Sequence, residues 1–202
     1  VWYVTPNSNK LCAWFQKTNH LHRFKEQEGF LMAPFLSAND EIYVLPFAES
    51  DYLEEEMNFL SNVKSKEINL ETENAQAQFE AIVCKAVAAI QNEAFTKVVL
   101  SRKITIPIQI NALEVFQRMA STYRNAFCYL FSHPELGSWM GATPEQLIKF
   151  SNNHFETVSL AGTHQKNSFE NWSPKEIQEQ QIVTDYILDS LHKEVLSLKV
   201  SE

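Results

Sequence analysis

Four side chains in this sequence have the type and setting to do chemistry. Lys97 lies in the run KVVLSR, Glu145 follows Gly141-Ala142-Thr143-Pro144, and Glu176 and Glu179 stand three residues apart just after Ser173-Pro174. A lysine and a carboxylic acid form a base and acid couple when their surroundings bring both towards neutrality. For Lys97 that demands desolvation or a nearby cation, and for Glu145 enough burial to keep the carboxyl protonated. Glu179, on the core side of a helix, needs a partner for its charge, and a hard cation such as magnesium suits a carboxylate. Between these acids the apolar run FETVSLAGT ends in Gly162-Thr163, which offers a ligand a close backbone approach and a hydroxyl.

Each of these residues also has a plainer reading. A lone lysine on a strand is usually exposed or snorkelling. Glu176 stands at the third helical position after Ser173, where it closes a capping box, with Pro174 at the first position where its missing donor costs nothing. By pattern alone a solvent-facing Glu179 is the commoner case, and Gly162 is a turn residue.

The elements that must hold these groups follow from periodicity. Trp2 to Val4, Leu11 to Phe15, Phe30 to Phe35 and Ile42 to Leu45 read as strands of an antiparallel meander, broken at Pro6-Asn7, Glu28-Gly29 and Ala38-Asn39-Asp40. Residues 49–71 are acidic and mixed, and read as a short helix or a connection. Phe79, Ile82, Val83, Ala86 and Ile90 then recur at helical spacing, which predicts a packed amphipathic helix within 72–92. The β-branched run from Phe95 to Ile106, ended by Pro107, predicts a strand with Lys97, Val99 and Ser101 on one face.

Asn111 caps the next helix, with Glu114 three residues on and Leu113, Phe116 and Ala120 on its buried side. Phe127 to Phe131 and Ser138 to Met140 form a strand and its return, which delivers a turn at Gly141 to Glu145. Gln146 to Phe150 and His154 to Leu160 flank a hairpin turn at Asn152-Asn153. The last helix buries Ile182, Val183, Tyr186, Ile187 and Leu191.

Composition narrows the function class. The 202 residues are 45% hydrophobic and 21% charged, a globular balance, and the formal charge of −8 argues against a nucleic-acid partner. The only four glycines build no phosphate-binding loop. Cys12, Cys84 and Cys128 are widely spaced and read as reduced core residues. His20 and His22 share a strand face but lack a third ligand nearby, so exposed polar side chains are expected there. No signal peptide and no membrane-spanning run is visible, which makes a cytoplasmic protein without a membrane partner the expectation.

Four segments together resemble the chorismate-utilising enzymes, and among them the isochorismate synthase branch. They are KVVLSR at Lys97 to Arg102, Gly-Ala-Thr-Pro-Glu at 141–145, Leu-Ala-Gly-Thr at 160–163 and Pro-Lys-Glu-Ile-Gln-Glu at 174–179. The resemblance implies a magnesium-dependent enzyme that moves a hydroxyl on chorismate, a small-molecule substrate. Lys97 would be the base that activates water, Glu145 the acid that protonates the departing hydroxyl, and Glu179 a metal ligand, with Glu176 beside it. Gly162 and Thr163 would meet the substrate. Ammonia-using relatives carry Gln at the Lys97 position, and those with a covalent lysine carry it where this chain has Ala161. Water as nucleophile is thus implied, with salicylate synthase as the alternative product branch and a non-catalytic binding module as the alternative class.

The implied fold is α+β, with antiparallel sheets packed together and flanked by helices. The chain is expected to be an N-terminal portion of one such domain, strand-rich over 1–70 and motif-bearing over 71–202. Edges left open in such a portion would favour self-association.

Overall fold

The structure, a computed structural model, describes residues 1–34, 42–61, 63, 74–163, 171–192, 197 and 199–200. In chain order the elements are β1 (Trp2–Val4), β2 (Lys10–Gln16), β3 (His22–Arg23), β4 (Gly29–Met32), β5 (Tyr43–Pro46), a 3-10 turn (Phe47–Glu49), β6 (Ser50–Glu56), α1 (Ala75–Gln91), α2 (Ala112–Thr122), β7 (Phe127–His133), β8 (Gly137–Thr143), β9 (Lys149–Ser151), β10 (His154–Glu156) and α3 (Pro174–Leu191). This is an α+β protein whose strand pairings are all antiparallel among the described residues. The chain forms two compact units, each from two separate stretches: residues 1–66 with 108–144, and 67–107 with 145–202.

The first unit holds two sheets and a helix. Its five-stranded sheet runs β6-β2-β1-β7-β8, and its three-stranded sheet runs β3-β5-β4. Strand β7 shows why they pack, because alternate side chains of a strand point to opposite faces. Cys128 and Leu130 on one face join Val4, Met57, Phe116, Ala120 and Ala126, so α2 lies against that side. Phe131 on the other face joins Val1 and Leu45, with Phe30, Met32 and Tyr129 packed around them, so the smaller sheet covers that side. Phe30 stacks on Phe131 with ring centroids 6.0 Å apart.

Helix α2 forms as its cap predicts. Asn111 Oδ1 accepts from the backbone N–H groups of Leu113 and Glu114, two of the donors a helix start leaves unpaired. Glu114 turns instead to Arg118, four residues on, at 3.0 Å. Phe116 and Ala120 are buried as expected, but Leu113 is half exposed.

Gly29 in β4 has no room for a side chain, since a Cβ there would stand 2.3 Å from the Leu45 carbonyl oxygen and 2.5 Å from Val44 Cγ2. The first obstacle is backbone of the neighbouring strand and cannot swing away. We expect Gly29→Ala to destabilise the chain by about 1–3 kcal/mol, the usual range for overpacking, read as a lower denaturation midpoint. A midpoint equal to the parent's would show that β4 and β5 can part without loss.

Three expectations from sequence are corrected, the first two in this unit and the third through Cys84 of the second. The acidic stretch after residue 49 holds a strand, β6, paired with β2 from Lys10↔Glu56 to Gln16↔Ser50. Its carboxylates tolerate the strand because cations stand at both ends of β2: Lys10 meets Glu54 at 2.5 Å and Lys17, just past the strand, meets Asp51 at 3.3 Å. Residues 62 and 64–71 of that stretch lie outside the described residues, as do Phe35 and the Ala38-Asn39-Asp40 break. The Gly141 to Glu145 segment is mainly strand: Gly141, Ala142 and Thr143 pair with Tyr129, Cys128 and Phe127. Of the three free cysteines, Cys128 is buried and Cys12 half-buried, but Cys84 is exposed on α1.

The second unit contains α1, the β9-β10 hairpin and α3. Asn152 and Asn153, with φ of 50° and 61°, make the tight turn of the hairpin, the backbone that such a two-residue loop requires. The hairpin strands are shorter than expected, three residues each. Helices α1 and α3 carry no buried residue, and Ile82, Val83, Ile90 and Tyr186 are exposed where packed stripes were expected. Among the described residues, 97–110 enter no ladder and Val99 is 83% exposed. A β-branched run favours extended backbone but becomes a strand only when another strand pairs with it.

No helix among the described residues is long and apolar enough to cross a membrane.

Candidate active site

Helix α3 organises the motif-bearing residues of the second unit. Ser173 caps it, its Oγ accepting from the Glu176 backbone N–H, and Pro174 follows at the first position. The Ser173 hydroxyl in turn donates to the Glu176 carboxylate. Ser173 thus supplies the cap, while the Glu176 carboxylate rests on the Ser173 hydroxyl, and Lys175 stands 4.0 Å from it.

One turn further along, Glu179 receives Lys97. Lys97 Nζ lies 3.2 Å from Glu179 Oε1, with the two side chains 22% and 33% exposed. Lys175 approaches Oε2 at 3.9 Å, and the backbone N–H of Gly162 donates to the same carboxylate. The hydrogen bond from Lys97, and next its charge, hold the Glu179 carboxyl below the usual glutamate range. Partial burial works the other way, and Lys175 and Gly162 add to the lowering.

Gly162 is where backbone geometry requires glycine. Its φ is +76°, and a Cβ would meet Glu176 Cβ at 3.3 Å, so the 159–163 segment runs close along α3. The seam is polar. Gln180 Oε1 accepts from the Ala161 N–H at 2.6 Å, and Gln180 Nε2 donates to the Ser159 carbonyl at 2.8 Å. The hydroxyls of Ser159 and Thr184 lie 2.9 Å apart beside them.

The structure therefore brings together Lys97, Gly162, Glu176 and Glu179, which come from three separate motifs. Thr163 closes the segment, exposed, and Glu145 is exposed at the start of the unit's second stretch. Gln180, Ser159 and Thr184 were missed from sequence. A glutamine and a threonine four apart on a helix look like any solvated pair, and only the backbone groups of 159–161 give them meaning.

Carboxylates are the ligand type magnesium takes, through one or two of them with water and ligand oxygens completing the shell, but both Glu179 oxygens face lysine ammonium groups in this structure. Glu179 would be the holding residue, with Glu176 as the neighbouring carboxylate. No group of three His, Cys, Asp or Glu residues that could hold a metal occurs among the described residues. His20 and His22 pack ring to ring in the first unit, and His22 Nε2 faces Glu49 Oε2 at 3.5 Å.

A cavity of about 450 Å³ lies elsewhere, in the first unit between its two sheets, lined by aromatic rings such as Tyr3, Phe30, Phe47 and Tyr129. Of the motif residues, Thr143 lines it.

Comparison with known proteins gives the class. The family model described as chorismate binding enzyme matches residues 40–202, and the chain belongs to that family. It is similar to the isochorismate synthase MenF of Haemophilus influenzae, 28% identical over 131 residues in a match that covers 59% of this chain and 30% of that protein. The chain thus spans about a third of the length of the curated relative it matches. No solved structure matches it.

Proposed function

We propose that this chain is part of an isochorismate synthase, which converts chorismate to isochorismate by adding water at one ring carbon as the hydroxyl leaves another. What supports the reading is the Lys97–Glu179 pair, which joins two motifs far apart in the chain, together with the likeness to isochorismate synthase. Lys97 takes a proton from the attacking water, and Glu145 gives one to the departing hydroxyl, so one water enters and one leaves. In the ion pair Lys97 donates; to accept a proton it must first leave Glu179 and lose one of its own. Glu145 is exposed in this chain, so the burial that keeps it protonated comes from bound substrate or from the remainder of the protein. Gly162 and Thr163 bring a backbone edge and a hydroxyl to the substrate.

Magnesium held at Glu179, with Glu176 beside it, would supply charge neutralisation for a substrate carboxylate. The pathway is menaquinone or siderophore biosynthesis, and the cytoplasmic location expected from sequence belongs to the same reading. The apolar side chains exposed on α1 and α3 support association with further polypeptide, including a second copy.

The test is chorismate conversion by the full-length protein with magnesium, with the products separated by chromatography. Isochorismate is the expected product. Salicylate with pyruvate would move the protein to the salicylate synthase branch, and an intact chorismate pool would leave a binding module.

A further inference from the structure

The structure assigns Gln180 a positioning role: its side chain fixes the 159–163 segment against α3, and so sets where Gly162 and Thr163 stand. The inference rests on the reading above, in which those two residues meet the substrate. Its basis is a two-point match. Gln180 accepts from the Ala161 N–H at 2.6 Å and donates to the Ser159 carbonyl at 2.8 Å. A donor and an acceptor two residues apart are what a neighbouring strand would engage, and residues 157–163 are in no ladder. One side chain thus does for this segment what a strand does elsewhere.

The surroundings hold Gln180 in that orientation. Its Nε2 also lies 3.1 Å from Ser159 Oγ and 3.3 Å from Thr184 Oγ1, and Thr184 Oγ1 donates back to the Gln180 carbonyl at 3.1 Å. Next in the segment, Gly162 presses on Glu176 and donates its N–H to Glu179. Gln180 follows Glu179 directly on the helix. Any slip of the segment therefore moves the Gly162 amide away from Glu179 and displaces Thr163 with it.

The experiment compares the full-length protein with its Gln180→Leu and Gln180→Glu variants, by hydrogen–deuterium exchange over residues 159–163 and by KM and kcat for chorismate with magnesium. Gln180→Leu is expected to speed exchange in that segment and to raise KM roughly ten- to a hundredfold, the range for leaving partly buried polar groups unpaired, with a smaller change in kcat. Gln180→Glu keeps the acceptor for Ala161 but sets an anion against the Ser159 carbonyl, and its KM should also rise. It carries the comparison if the leucine variant does not fold.

Faster exchange with unchanged KM would overturn the positioning role and leave a fold contact. Unchanged exchange would overturn the docking itself. A full-length protein inert towards chorismate would sink the isochorismate reading instead, and the assignment of Gln180 would then stand or fall on exchange.

Discussion

Lys97→Arg is expected to abolish turnover by the full-length protein as completely as Lys97→Ala, both lowering kcat by about 10²- to 10⁴-fold, the usual worth of a positioned general base. Arginine can keep the ion pair with Glu179, but its guanidinium does not give up its proton near neutral pH. The pair of variants therefore separates two roles that alanine alone confuses. If Lys97 merely anchors Glu179, arginine should restore most of the activity, and the base assignment is lost.

Stability should hardly register either change, because an ion pair that solvent still reaches adds little net free energy. Its pH dependence has a definite sign. Glu179 is held below its ordinary value of 4.5, so the pair's contribution is fully present above that value and disappears as pH falls through the lowered one. Any difference in midpoint between Lys97→Ala and the parent should accordingly be largest near neutral pH and vanish in acid.

Phe116→Ala is expected to cost about 3–5 kcal/mol, by loss of transfer free energy and by the cavity left behind. Phe116 is 2% exposed at the junction of α2 with β1 and β7, among Val4, Met57, Cys128 and Leu130. A unit of this size has total stability on the order of 5–15 kcal/mol, so the variant should melt at least roughly 12 °C lower. Leu113→Ala on the same helix is the control, since Leu113 is 50% exposed and its loss should cost much less. Equal shifts for the two would mean that α2 does not pack on the sheet as described.

What was legible in the sequence was local. The caps at Asn111 and Ser173, the Asn152-Asn153 turn and the β7-β8 return were all visible, because a few neighbouring residues decide each of them. What was not legible depended on partners distant in the chain. The SDYLEEE stretch reads as a surface connection until β2 brings Lys10 and Lys17 to its carboxylates. The run after Lys97 reads as a strand by composition, yet pairs with nothing among the described residues. At the site, the motifs singled out Lys97, Gly162 and Glu179. They gave no hint of Gln180, whose partners are main-chain atoms common to every residue type.

Strand β1 sits at the middle of the five-stranded sheet, between β2 and β7, with Val4 opposite Cys128. Its pairing with β7 therefore waits on Phe127–His133, far along the chain. At ribosomal speeds the wait between emergence of β1 and of β7 is on the order of ten seconds. Throughout that interval β1 presents an open edge, and the closure that ends it carries a loop-entropy cost that rises with the length of chain closed. A nascent chain of this protein should accordingly depend on chaperones until His133 has left the exit tunnel.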